Sequence, residues 1–290
     1  MPEVPLPDAF EWVTRPWGQA LRCRPLAALA DHCFTTRVPV LTRGPLAPGD
    51  AWHAVARSLG GPPGAILRLR QVHGTGVVIV RRGNAAPPAT AGAIVGDIAV
   101  SDNPRVALSV AVADCVPILL ADPRTGAVAA VHAGWRGTAG GAAAAAVDAL
   151  VSVFGSNPGN IVAAIGPSIG PCCYRVGTDV RAAFKADPRW ERVADAWFSA
   201  EPTLPALRGI PGAAPARDGL PSMFLDTWAA NADELHLAGV PAAQIHVARL
   251  CTSCYRDLLH SYRVDGAHAG RMIGIVRSSP PHPASPRRAD

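Results

Sequence analysis

Apolar residues in this chain come in short blocks, several of them apolar at consecutive positions, bounded by glycine, proline, asparagine and aspartate. ILRLRQVH (66–73) and VVIVR (77–81) flank Gly74-Thr75-Gly76 and predict a β-hairpin with His73 at a strand end. Four more strands follow: AIVGDIAV (93–100), VALSVAVAD (106–114), VPILLAD (116–122) and AVAAVHA (127–133). Asp102-Asn103-Pro104 and Asp122-Pro123-Arg124-Thr125-Gly126 separate them as turns. Runs apolar on both faces belong to sheets covered on both sides. The pattern then changes. GTAGGAAAAAVDALVSVFG combines alanine helix propensity with a glycine stop, which predicts a helix from Thr138 to Phe154. Strands at 161–166, 245–250 and 272–277 alternate with helices near Gly177 to Lys185 and Leu225 to Ala238. Strands clustered first and helices interspersed later predict an α+β layered fold with mixed sheets in a single domain.

Proline and glycine mark three stretches expected to be irregular: residues 1–30, residues 201–219 and a disordered tail at 278–290. One domain over 31–277 remains. No apolar run approaches the roughly 20 residues of a membrane span, and the acidic, proline-bearing start does not read as an export signal. Seven cysteines, an odd number, then argue for thiols in a cytoplasmic protein. The net charge of +5 includes no basic run interleaved with aromatics, so nucleic acid is not an expected partner. A small anionic substrate or phosphate suits the charge equally well.

The candidate chemistry lies at strand ends, in His73, Asp114-Cys115 and His132. A thiolate and two imidazoles are the donor types that zinc takes, and catalytic zinc commonly has three protein ligands and an open position. The spacing of the three matches no short metal motif, and a packed thiol with two hydrogen-bonded histidines explains the same residues if they stand alone. Their neighbours Gly74, Val116-Pro117 and Ala133-Gly134 are small or turn-forming, which leaves room for a ligand. The helix after His132 offers N–H groups to an anion near Gly137 and Thr138. Arg136 adds a bidentate donor there or stacks on Trp135. Cys115 with a histidine base is also a nucleophile arrangement, as in a cysteine hydrolase. Cys251 and Cys254 have zinc half-site spacing that Cys172 and Cys173 would complete. Adjacent cysteines rarely aim both thiols at one ion, so packed thiols are expected there. A noncatalytic protein with a structural ion is the remaining reading, with Cys172 or Cys173 as fourth ligand to the histidines.

QVHG (71–74), ADCVPILLAD (113–122), VHAGWRG (131–137), AIGPSIGPCCYRVG (164–177), LDTWAANADELHLAGV (225–240) and CTSCYRDLLHSYRVDGAHAGRMIGIV (251–276) resemble, in order, the motifs of the YfiH-type laccase-domain family. That family is also called polyphenol oxidase, peptidoglycan editing factor or purine nucleoside phosphorylase. The resemblance implies a four-layer α-β-β-α sandwich binding zinc through His73, Cys115 and His132. It also implies phosphorolysis of adenosine, inosine and methylthioadenosine, adenosine deamination, and a phenol oxidase activity attributed to copper. Copper oxidation of phenols normally needs several ions, and one ligand cluster stands out here. Nucleoside and phosphate are the implied partners. Arg37, Arg136 and Arg263 are candidates for phosphate or ribose contacts, and Asp114 for orienting a ligand or acting as a base. The chain departs from the family pattern at Ala51-Trp52, at Ala91-Gly92-Ala93 and at Val264, which replaces the second arginine of Ser-Tyr-Arg-Arg-Asp-Gly.

Overall fold

The apolar blocks pair as strands in two large sheets that pack face to face. A computed structural model describes residues 4–37, 55, 57–58, 66–83, 94–203 and 222–279. Ala51-Trp52, Ala91-Gly92-Ala93, most of 201–219 and nearly all of the tail lie outside the described residues. In chain order the strands begin with β1 (Phe10–Arg15), β2 (Gly18–Cys23), β3 (Ala30–Thr35), β4 (Ile66–Arg70), β5 (Val77–Val80), β6 (Ile94–Val95), β7 (Ile98–Ser101) and β8 (Ala107–Val112). They continue with β9 (Val116–Ala121), β10 (Val128–Ala133), β11 (Val162–Ile165), β12 (Arg175–Gly177), β13 (Phe198–Ser199), β14 (Ser222–Leu225), β15 (Ile245–Val247) and β16 (Met272–Ser278). The helices are α1 (Arg24–Ala27), α2 (Trp135–Ala139), α3 (Ala142–Phe154), α4 (Thr178–Lys185), α5 (Thr227–Leu237) and α6 (Tyr262–Asp265).

One sheet has the order β1-β2-β3-β16-β8-β4-β6 and the other β15-β11-β9-β10-β7-β5, both mixed; β12-β14-β13 form a small third sheet. Phe34, Leu108, Leu119 and Val276 fill the space between the two large sheets. The outer face of the second sheet packs under α3 and α5 through Ile118, Val131, Ala146 and Leu150. Each fully buried leucine or isoleucine contributes about 1.5–3 kcal/mol to such layers. The architecture is a layered α+β sandwich of two mixed sheets with helices packed on the second, as a single domain.

Three expectations are corrected. Strands β4 and β5 are not a hairpin: β4 runs parallel to β8 in the first sheet and β5 parallel to β7 in the second. The Gly74-Thr75-Gly76 link carries the chain across between sheets, because each strand finds its backbone partners and its burial with distant segments. Residues 10–23 within the first thirty are not irregular, since β1 and β2 form an antiparallel pair in full register from Phe10↔Cys23 to Arg15↔Gly18. Alternation in this pair is masked by half-buried positions along β1. The single helix from Thr138 is two helices. Gly141 takes φ +83°, a left-handed conformation that breaks the run between α2 and α3.

Buried polar groups in this frame carry a pH signature. His32 is 1% exposed; the Cys23 N–H donates to its Nε2 at 3.0 Å, and its Nδ1 lies 3.1 Å from the Ala30 carbonyl. Burial, which disfavours the charged ring, pulls its pKa down to about 4. Below about pH 6.5 the unfolded chain takes up a proton here that the native chain resists, so stability falls with acid. The stability gap between the native chain and His32→Gln should therefore narrow by about 3 kcal/mol from pH 7 to pH 4. Urea unfolding at both pH values reads this; a gap independent of pH would refute it.

Candidate metal centre

Two of the points where the chain passes from one large sheet to the other lie together, and each delivers a donor. His73 sits between β4 and β5, and Cys115 between β8 and β9. His132 arrives from β10, where it pairs with Pro117, so the chain reaches Gly134 beside Cys115. The ligand atoms of His73, Cys115 and His132 lie within 4.8 Å of one another, and the two imidazoles meet edge to face at 4.9 Å between centroids. His73 is exposed, Cys115 half-buried and His132 buried. His73 and Asp114 both take positive φ, +61° and +84°, a conformation uncommon among residues other than glycine and one that clusters at functional sites. Gly134 is required by closeness: a Cβ there would lie 2.9 Å from His73 Cδ2 and 3.0 Å from Cys115 Sγ.

Asp97 organises this set, and sequence reasoning missed it. Its fully buried carboxylate lies 2.8 Å from His132 Nδ1 and accepts the backbone N–H groups of Val72, His73 and Gly74 at 2.8–3.2 Å. Holding Nδ1 turns the other ring nitrogen of His132 toward the donor cluster, the outer support that metal-binding histidines use. The available signal was an acid after glycine inside AIVGDIAV, which breaks that block into β6 and β7. Burial opposes the charge on Asp97, yet the hydrogen bonds from His132 and from the Gly74 and Val72 N–H groups outweigh it and hold its carboxyl below the usual range. Burial likewise opposes ionisation of Cys115, but His132 and His73 bring the thiol down to about 6. Burial would lower His132; Asp97 and Cys115 instead raise it to about 9. This electrostatic pattern stabilises a thiolate among its own donors.

A cavity of about 120 Å³ opens beside the cluster, lined by His73, Cys115, Arg136, Ile169, Tyr174 and Thr227 among others. Arg136 lies over the Trp135 ring at 4.2 Å, and α2 begins at Trp135, earlier than expected. The Thr138 N–H consequently bonds Gly134 O within the helix and is not offered to an anion. Thr227 Oγ1 is buried against the cavity without a hydrogen-bond partner among the described residues. Asp114 also lines the cavity, but its carboxylate accepts Thr252 Oγ1–H at 2.5 Å and the Arg263 N–H at 2.6 Å. Burial raises its pKa against those bonds. Arg263 donates to the Arg175 carbonyl and lies over Tyr174, and Arg37 pairs with Asp265 at 2.5 Å. Neither Arg37 nor Arg263 is among the cavity-lining residues. Val264 stands exposed on α6. Cys172 and Cys173 are grouped with Cys251 and Cys254 rather than with the histidines.

Two mixed sheets in face contact with helices packed outside, and a His₂Cys set gathered at the ends of their strands, define a laccase-domain protein. The family model described as multi-copper polyphenol oxidoreductase laccase matches residues 49–279. Purine nucleoside phosphorylase YlmD of Geobacillus stearothermophilus is 35% identical over 93% of this chain and 97% of its own length. Adenosine deaminase RL5, from an unknown prokaryotic organism, is 38% identical over 59% of this chain and 58% of its own. The crystal structure of Bacillus licheniformis YfiH superposes with a TM-score of 0.74 at 29% identity, covering 90% of this chain and 96% of that one. The chain belongs to the YfiH-type laccase-domain family. No helix among the described residues is long and apolar enough to cross a membrane.

Proposed function

We propose that this chain is a cytoplasmic, zinc-dependent purine nucleoside phosphorylase acting on adenosine, inosine and methylthioadenosine, and that the same cavity deaminates adenosine. The observation carrying the reading is the convergence of His73, Cys115 and His132 beside a cavity, which leaves a side of the donor set facing space large enough for a reactant. The donor chemistry fits zinc: one depressed thiol and two imidazoles, one of them oriented by a buried carboxylate. When bound, zinc supplies Lewis acidity that favours an ionised oxygen nucleophile near neutral pH. Names of relatives support the substrate class, one a purine nucleoside phosphorylase and another an adenosine deaminase.

The protein's own groups then divide the work. Arg136, exposed at the rim and braced on Trp135, meets an incoming phosphate. Thr227 Oγ1, unpartnered among the described residues, donates to a substrate oxygen in the cavity. Tyr174, whose phenol burial keeps protonated, also lines the cavity and can donate a hydrogen bond. Asp114 is a positioning residue, fastening the Thr252 and Arg263 segment against the cavity, and Arg263 in turn holds Tyr174. Arg37 acts at one remove through Asp265.

Incubation of purified protein with adenosine, with and without inorganic phosphate, tests the proposal. Ribose 1-phosphate and adenine should form only with phosphate, and inosine without it. Failure of both products would overturn the proposal. Turnover in the absence of oxygen separates this reading from a copper-dependent phenol oxidase, which consumes oxygen.

A further inference from the structure

Four of the seven cysteines meet at a second place, between the turn after Pro171 and the turn that follows β15. Cys172 Sγ lies 3.5 Å from Cys254 Sγ, and Cys173 Sγ lies 3.6 Å from it. With Cys251, all four sulfurs lie within 4.8 Å of one another. Four thiolates at about 2.3 Å from a tetrahedral ion stand about 3.8 Å apart, the scale of this cluster. Sulfurs in a disulfide are about 2 Å apart, well inside these separations. Clusters of several irons span wider thiolate cages, so the space suits one ion. The Gly170 N–H points at Cys251 Sγ at 3.3 Å, the kind of backbone donor that supports a coordinating thiolate. Cys172, Cys173 and Cys251 are buried and Cys254 is half-buried. The tight turn at Pro171 overcomes the usual difficulty of adjacent cysteines, since both aim at Cys254.

We propose that Cys172, Cys173, Cys251 and Cys254 hold a second zinc ion in a closed, structural site. Four protein sulfurs leave no coordination position for a reactant, in contrast to the three-donor centre at His73, Cys115 and His132. The ion joins a segment that lines the cavity to one that braces it through Asp114. One supplies Ile169 and Tyr174; the other supplies Thr252 and Arg263, the partners of Asp114. Direct backbone bonds already run between these segments, from Ser168 to Leu250 and from Thr252 to Ser168, and the ion locks their far end. This inference stands independently of the reaction assigned to the cavity.

Metal analysis of the full chain, purified with reductant, tests it. Zinc per chain should be two in the native protein, one in Cys115→Ser, one in Cys254→Ser and none in the double variant. Because Cys254→Ser can fail to fold, alkylation of the native chain mapped by mass spectrometry gives a second reading. Cys172, Cys173, Cys251 and Cys254 should be protected with zinc bound and become reactive after chelation. Cobalt loaded into Cys115→Ser should show intense thiolate-to-metal charge transfer. Loss of all zinc in Cys115→Ser, disulfide-linked peptides from the zinc-supplemented protein, or iron in place of zinc would each overturn the proposal.

Discussion

Cys115→Ser is expected to lose the metal of the histidine-containing centre and nearly all nucleoside turnover together. A serine hydroxyl is a hard, un-ionised donor at neutral pH, while the thiol it replaces is held at about 6 by His132 and His73. Loss of an outer partner costs about 10–100-fold in metal affinity or activity, and loss of a donor itself should exceed that. Metal content and turnover must be measured on the same preparation. Full metal retention with no turnover would show Cys115 to be a nucleophile and not a ligand. Unchanged turnover would remove the centre from the reaction altogether.

Asp97→Ala is expected to combine a site defect with a folding defect, because one carboxylate serves both. It removes the acceptor for His132 Nδ1 and for the Val72, His73 and Gly74 N–H groups, all in a place where water cannot substitute freely. Breaking a buried charged pair on one side costs about 3–5 kcal/mol. Metal affinity should fall about 10–100-fold as the ring loses its orientation. Asp97→Asn keeps one acceptor oxygen and should fall between the native chain and the alanine variant in both respects. Urea unfolding and competition with a chelator measure the two effects; native stability and affinity in the alanine variant would refute the role given to Asp97.

Much of the site was legible before any tertiary contact was known. Histidine and cysteine at the ends of strands otherwise apolar, each beside glycine or proline, are local irregularities with a chemical meaning, and all three donors do converge. Asp97 was overlooked since a single acid inside AIVGDIAV was absorbed into one strand. Thr227 and Tyr174 were overlooked because nothing in LDTW or CCYRVG marks a side chain as facing a cavity. Arg37 and Arg263 carry the right charge for phosphate, but their partners Asp265 and the Arg175 carbonyl are distant in sequence.

The chain by itself determined what local forces determine: which stretches extend, where they turn, where a helix of alanines ends at Gly155, and that soft donors stand at strand ends. Which sheet each strand joins was decided only in three dimensions. The segments at 66–70 and 77–80 look like hairpin partners, yet each gains more by pairing with a buried strand far along the chain. The same long-range pairing brings Cys172 and Cys173 to Cys251 and Cys254, about 80 residues away. Propensity and turn chemistry act over a few residues, whereas burial and coordination are satisfied only when distant segments share a volume.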